Sequence, residues 1–563
     1  MNAPIFQFNT HRDDIEREVV ERTVAELAHY GGVESPRSYQ LVLNDAAYHE
    51  IDRLVHTPDK GPEQLERWKR LARKLGRLSA DELKAEAEGL CQHYVRDVQG
   101  NFDRRVYNVA TRVLPVGLGL LFKGTDLASG VQRLAEMREL PGLDVLRDLS
   151  QRIRIEGDLQ TIRRLAEKGT LVFVPTHSSN MDSIVLGWAL MEAELPPVTY
   201  GAGKNLFSNP VVGYFMRNLG AYRVDRRLRH ALYKEVLKTY SQVLLERGYH
   251  SLFFPGGTRG RSGKVERKLK LGLLGSALQA TSERLQRGDD RPIFIVPVTI
   301  NYPLVLEAET LIEDYLKEAG QARYIIEDDE SSKWSRVTHY ALKVMGLNTS
   351  MAIRFGTPLD VFGNPVGADG ESRGPDGTIL RRERYLCKDG KPTADAGRDA
   401  EYTRILGRSV AEAFLRETVI LPTQFAGWLF LERERRRAPT LDLFALLRTT
   451  SGDLHPMASA CEDAEWLRAR LVLLEREGKL RLDPDLREAP IAEVLDAAVK
   501  TFSMYHLRPA LERIEDGILV GDPKLLYYYG NRLDAWANEL QAALRAGAEA
   551  RPASRDGGKE SGV

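Results

Sequence analysis

Leu171-Val172-Phe173-Val174 is an unbroken apolar run that stops at Pro175-Thr176-His177. Two of its residues are β-branched and one is aromatic, and it is bounded by Gly169-Thr170 before and Pro175 after, the pattern of a buried strand. His177 opens the following loop. Ser179 or Asn180 is placed to cap a helix through Ser183–Leu190, which puts Asp182 in the first turn, where the helix dipole favours a carboxylate.

On a continuous helix, residues five apart point about 140° away from each other, so His177 and Asp182 can meet only across a strand-to-helix turn. The pattern supplies such a turn. An imidazole at a strand end, with one nitrogen held by Asp182, keeps its other nitrogen for general-base work on a hydroxyl. A His and an Asp this close also suit a cap and a satisfied loop polar group, so the spacing alone does not decide between the two.

Further apolar runs, near Val198–Tyr200, Ser251–Phe254, Ile293–Ile300 and Met351–Phe355, alternate with helical stretches and predict an α/β fold. The fold class expected is a central mixed or mostly parallel sheet covered by helices and flanked by helical N- and C-terminal regions. In such sheets ligands bind at loops beyond the strand ends, where His177 falls. The loop Phe254-Pro-Gly-Gly-Thr-Arg-Gly-Arg-Ser-Gly-Lys264 offers glycines for close backbone approach and Arg259, Arg261 and Lys264 as cations for phosphate. It is not a nucleotide P-loop, because Thr258 stands where the first glycine belongs and Val265 where Ser or Thr must follow the lysine. Arg223, Arg226, Arg227 and Arg229 add positive charge between the two loops, and together these segments predict one pocket.

Bulk charge points nowhere, since 80 Lys and Arg balance 80 Asp and Glu among 563 residues. Cys91, Cys387 and Cys461 lie far apart, with neither disulfide nor zinc spacing, which suits a reducing compartment. The first residues lack the basic-then-apolar pattern of a signal peptide. Two runs, Val113–Phe122 and Val419–Leu431, are too short and broken to span a bilayer. The first suits a core helix or an interfacial segment. In the second, Phe425, Trp428, Leu429 and Phe430 beside Arg433 and Arg435–Arg437 fit equally an interfacial anchor or a core helix.

The residues also resemble a glycerolipid acyltransferase of the glycerol-3-phosphate type, a family marked by four ordered blocks that begin with H-x-x-x-x-D. His177 and Asp182 match the first block, Gly220–Arg226 the second, Phe254–Arg261 the third, often F-P-E-G-T-R-S-R, and Ile295–Tyr302 the fourth, with Pro297 at its usual place. Asn44–Leu54 is similar to the N-terminal region of such enzymes. The resemblance, over residues 40 to 360, implies His177 and Asp182 as catalytic residues and Arg226, Gly257, Thr258, Arg259, Arg261 and Pro297 as substrate-binding. It implies transfer of a fatty acyl group from acyl-CoA or acyl-acyl carrier protein to the 1-hydroxyl of glycerol 3-phosphate, without cofactor or metal, on the inner face of the cell membrane. Lysophosphatidate or dihydroxyacetone phosphate as acceptor, or a catalytically weak lipid-binding scaffold, are the alternatives. Ser178 and Asn180 depart from the H-R-S-H-x-D form of the first block. Gly256 replaces the glutamate of the third block and Gly260 its serine, so each of those contacts is absent or supplied elsewhere.

The division expected is a helical N-terminal region over 1–150, an acyltransferase domain over 151–362, an exposed loop-rich insertion over 363–400, a helical C-terminal region over 401–545 and a disordered tail over 546–563.

Overall fold

In the computed structural model the described residues are 4–56, 62–111, 153–207, 210–319 and 351–549. The apolar run at 171–174 lies inside a seven-stranded sheet, and all six residues of its strand are buried. In chain order the strands are β1 (Ile153–Glu156), β2 (Thr170–Pro175), β3 (Thr199–Gly203), β4 (Ala221–Val224), β5 (Ser251–Leu252), β6 (Ile293–Asn301) and β7 (Met351–Phe355), arranged β1-β7-β6-β2-β5-β3-β4. Every neighbouring pair is parallel except β6 and β7. The sheet is therefore mixed and mostly parallel, as the alternation of strands and helices predicts.

Strands β1 and β4 are absent from the sequence reading. They are the two edges of the sheet, where charge is tolerated, and their sequences Ile-Arg-Ile-Glu and Ala-Tyr-Arg-Val lack an uninterrupted apolar signature. Interior strands show the expected alternation of faces. Leu171, Phe173, Val296 and Val298 pack with Leu186 and Trp188 of the helix Asp182–Glu192, whereas Val172, Val174 and Ile295 pack with Leu274 and Leu278 of Gly272–Gln286 and with Phe414.

Because β2, β3, β4, β5 and β6 run in one direction, the chain leaves each at the same edge of the sheet. That edge receives His177 after β2, Arg226 after β4, the glycine-rich loop after β5 and Tyr302 after β6. The N-terminal helices Arg12–Leu27, Arg37–Val55 and Ala80–Val98 pack on Ala231–Glu246 through a separate apolar cluster that includes Val19, Val42, Val95 and Val236. Within 363–400 lie two hairpins, Ser372–Arg373 with Ile379–Leu380 and Cys387–Lys388 with Lys391–Pro392.

The C-terminal helices share the core of the sheet: one continuous cluster runs from Phe173 and Val298 to Phe425, Trp428, Leu429 and Leu525. This corrects the interfacial reading of 425–437. Phe425, Leu429 and Phe430 are 0% exposed and Trp428 is 4% exposed inside the helix Pro422–Arg437, so none of these four side chains is available to lipid. Its arginines are paired as well: Arg433 and Arg436 with Asp463, Arg435 with Glu432 and Arg437 with Glu434. Among the described residues no helix is long and apolar enough to cross a membrane. The run Val113–Phe122 lies outside the described residues, as does 550–563. Residues 546–549 of the expected tail belong to the helix Ala537–Glu549. If the buried face of Pro422–Arg437 holds the C-terminal helices to the sheet, Phe425→Ala should cost about 3–5 kcal/mol in denaturant unfolding; a loss below about 1 kcal/mol would mean that the face is not a core face.

Candidate active site

His177 and Asp182 meet across the strand-to-helix turn that their spacing requires. Asp182 Oδ2 lies 2.8 Å from His177 Nδ1 and accepts the backbone N–H groups of Ser178 at 2.7 Å and Ser179 at 3.0 Å, and Oδ1 accepts the Tyr302 hydroxyl at 2.7 Å. The carboxylate is 0% exposed, so these four donors take the place of water. Each partner already donates or must donate, and Nδ1 therefore carries the proton that points at Asp182. Nε2 is left as the acceptor nitrogen of the neutral ring. Phe254, at the end of β5, stacks on the imidazole with ring centroids 4.3 Å apart.

The turn is held differently from the expected cap. Helix Asp182–Glu192 begins after Met181 with no side-chain cap. Ser179 Oγ instead accepts the Met181 N–H at 3.2 Å and donates to Glu307 at 2.9 Å, while the Asn180 N–H donates to the other oxygen of Glu307 at 3.0 Å. Asp182, the first residue of the helix, instead reaches back and accepts two loop N–H groups. Glu307 also receives Arg259 at 3.2 Å, tying the histidine loop to the glycine-rich loop. Burial raises the Glu307 pKa, and Arg259 and the two loop donors offset part of that rise.

The glycine-rich loop is folded onto the same edge. The His177 carbonyl accepts the Gly260 N–H at 2.8 Å, and the Gly257 N–H turns back to the Phe254 carbonyl at 3.1 Å with a φ of 74°. Gly263, with φ of 78°, lies so close to the helix Pro523–Gly530 that an added Cβ would fall 1.9 Å from the Tyr528 carbonyl oxygen. Asn531 donates to the Ser262 carbonyl at 2.7 Å and Lys264 pairs with Asp534 at 3.0 Å, so the C-terminal region clamps the loop.

A niche of about 20 Å³, enough for one water-sized group, lies beside the imidazole. It is lined by His177, Ser178, Glu266 and Tyr302 from one side and by Tyr528 and Arg532 from the other. Burial pushes the Glu266 carboxyl up to about 7, with Asp182 raising it further and His177 N–H and Arg532 opposing. Burial likewise lowers the Arg532 pKa, against the attraction of Tyr528, Glu266 and Asp182.

The cations expected to bind phosphate are divided. Arg223 is drawn 3.6 Å from Asp97 and Arg227 pairs with Asp225 at 2.8 Å. Arg226 has no ion pair among the described residues; partial desolvation and then the charge of Arg259 lower its pKa. Arg261 leans outward onto Glu318 at 2.6 Å, and Thr258 is exposed. Pro297 sits inside β6 opposite Val174, its carbonyl accepting the Gly356 N–H. The structure thus gathers His177 and Asp182 with Gly260, leaves Arg226 without an ion pair among the described residues but within the field of Arg259, and keeps Arg261 and Pro297 out of the niche lining.

Residues 153–301 match the Acyltransferase family model. Among curated relatives, a glycerol-3-phosphate acyltransferase from Haemophilus ducreyi is 34% identical over 239 residues, 42% of this chain and 27% of that protein. Proteins of the same name from Actinobacillus succinogenes and Pseudoalteromonas translucida are each 38% identical, over 30% and 28% of this chain and 20% and 19% of theirs. Residues 153–301 are thus similar to an acyltransferase domain. The chain aligns with only 19–27% of the length of these relatives. A solved 1-acyl-sn-glycerophosphate acyltransferase from Thermotoga maritima also matches, with 15% identity, a TM-score of 0.24 and coverage of 55% of this chain and 97% of that one.

Four residues of the acyltransferase domain and its C-terminal partner escape the sequence reading as site residues: Tyr302, Glu266, Glu307 and Arg532. Tyr302 ends the fourth block, and its position was the available signal. The other three carry no motif, because the fold brings them in from distant segments. One consequence of the Glu266 environment is measurable. The folded protein holds its proton up to about pH 7 and the unfolded chain only to the ordinary 4.5, so the stability it contributes is full below 4.5 and is lost as pH rises through about 7. Denaturant titrations from about pH 5 to about pH 8 should show that decline in wild-type protein and a flatter profile in Glu266→Gln; parallel curves would contradict the burial of an ionisable carboxyl there.

Proposed function

We propose that the chain transfers a fatty acyl group from an acyl thioester, of coenzyme A or acyl carrier protein, to the 1-hydroxyl of glycerol 3-phosphate. The observation that carries this reading is the fixed His177–Asp182 pair at the edge of the acyltransferase domain, with Nε2 left to accept a proton. In the reaction Nε2 takes the proton of the acceptor hydroxyl as its oxygen attacks the thioester carbonyl carbon. Asp182 stabilises the resulting imidazolium. The tetrahedral intermediate collapses, the carbon–sulfur bond breaks, and the imidazolium returns its proton to the departing thiolate. Arg226 and Arg259 receive the acceptor phosphate, which would relieve their mutual repulsion, and Arg261 can join only by leaving Glu318. Holding both substrates converts a bimolecular encounter into an effectively intramolecular one.

The product is an amphiphile, so it leaves toward a lipid surface, and the helix Pro422–Arg437 is not the segment that meets that surface. Acyl transfer is favoured over the scaffold alternative because every donor and acceptor of the dyad is in place.

Purified protein incubated with labelled glycerol 3-phosphate and an acyl thioester should form 1-acylglycerol 3-phosphate. His177→Ala should lower the rate by ~10²–10⁴-fold while the fold persists, a smaller loss pointing to another base. Asp182→Asn should also lose activity, since an amide cannot stabilise imidazolium, and wild-type rates in both variants would refute the dyad. Arg226→Ala and Arg259→Ala should each raise the KM for the acceptor about 10-fold or more, the worth of a charge-assisted hydrogen bond, with little change for the thioester. Equal effects on both substrates would remove these arginines from the phosphate subsite.

A further inference from the structure

Position 256 is glycine where the third block of the family has glutamate, and the backbone gives no reason for it, because Gly256 is not among the glycines with positive φ. The reason lies in a neighbour. A Cβ added at Gly256 would fall 2.4 Å from Glu266 Oε2, 2.7 Å from its Cδ and 3.0 Å from Oε1. The carboxyl group of Glu266 occupies the space into which any side chain at 256 would grow.

From that place Glu266 Oε1 accepts the backbone N–H of His177 at 2.8 Å. The carbonyl of the same residue accepts the Gly260 N–H at 2.8 Å, so His177 is pinned through both of its peptide groups. Glu266 Oε2 is shielded from solvent and has no hydrogen-bond partner among the described residues, and Glu266 lines the niche beside the imidazole together with Arg532. Asp182 and Arg532 are the charges that act on it.

We infer that Glu266 supplies, from the far side of the glycine-rich loop, the carboxyl group that position 256 lacks, and that it is a positioning residue for acyl transfer, fixing the peptide that carries His177. The assignment rests on the acyltransfer reading given above. Asp182 orients the ring, whereas Glu266 anchors the backbone from which the ring projects. Loss of Glu266 therefore acts on the geometry of attack rather than on substrate affinity, and a displacement of about 1 Å in such a site costs up to about 10²-fold in rate.

The test is an exchange of the carboxyl group between the two positions, with kcat and KM measured by thiol release and product formation. Glu266→Ala should lower kcat by ~10–100-fold with both KM values little changed. Glu266→Gln, which keeps an acceptor oxygen for the His177 N–H, should recover most of that loss. Gly256→Asp in the Glu266→Ala background returns a carboxyl to the vacated space and should regain at least about tenfold of the rate, the equivalent of 1.4 kcal/mol. If Glu266→Ala does not fold, as judged by circular dichroism and thermal unfolding, Gly256→Ala takes its place: its methyl group displaces the carboxyl and must lower kcat in a folded protein. A wild-type kcat in Glu266→Ala or in folded Gly256→Ala, a Gln variant as impaired as the Ala variant, or an exchange that restores nothing would each overturn the assignment. Wild-type protein that releases no thiol overturns the acyltransfer reading and this assignment with it, whereas a normal wild-type rate with any of the preceding results overturns this assignment alone.

Discussion

A single buried carboxylate organises the site. Asp182 is removed from water at the first turn of a helix, and the cost of that desolvation is offset only because His177, Ser178, Ser179 and Tyr302 all donate to it. The four donors come from three places. Ser178 and Ser179 belong to the turn itself, His177 to the end of β2, and Tyr302 to the residue just past β6. Adjacent parallel strands β2 and β6 make this possible, since they end at the same edge with Pro175 opposite Val298. The register of the sheet therefore decides whether the imidazole is held.

Around this carboxylate the structure builds outward in two directions. Glu307 ties the histidine loop to Arg259, so one buried carboxylate links the two loops that carry the candidate site residues. The C-terminal helices close the opposite side: Tyr528 and Arg532 face the niche, while Asn531 and Asp534 hold the glycine-rich loop at Ser262 and Lys264. That loop is rich in glycine for two different physical reasons. At Gly263 a neighbouring backbone leaves no room for a side chain, and at Gly256 a neighbouring carboxyl does.

Much of this was legible in the sequence where local pattern and function coincide. The apolar strand ending at His177, the five-residue spacing to Asp182 and the alternation of strands and helices are local signals, and the sheet follows from them. Edge strands β1 and β4 were not legible, because charge interrupts them. The nature of the helix Pro422–Arg437 was open for a related reason: apolar residues followed by arginines look the same whether the partner is lipid or a helix such as Pro523–Gly530, and only tertiary packing decides. Glu266, Glu307 and Arg532 could not be read at all, since their importance lies in which distant backbone or carboxylate they meet. The glycine at 256 was the one visible trace, a missing side chain whose replacement is evident only in three dimensions.

The claim that Asp182 fixes the ring of His177, with the proton on Nδ1 and Nε2 left as acceptor, is tested most directly by histidine nitrogen NMR on labelled protein, with the His177 signals assigned by their loss in His177→Gln. On the neutral ring Nδ1 should be protonated and Nε2 unprotonated in wild-type protein, with that preference lost in Asp182→Asn. A neutral His177 protonated at Nε2, or a tautomer unchanged by Asp182→Asn, would contradict it.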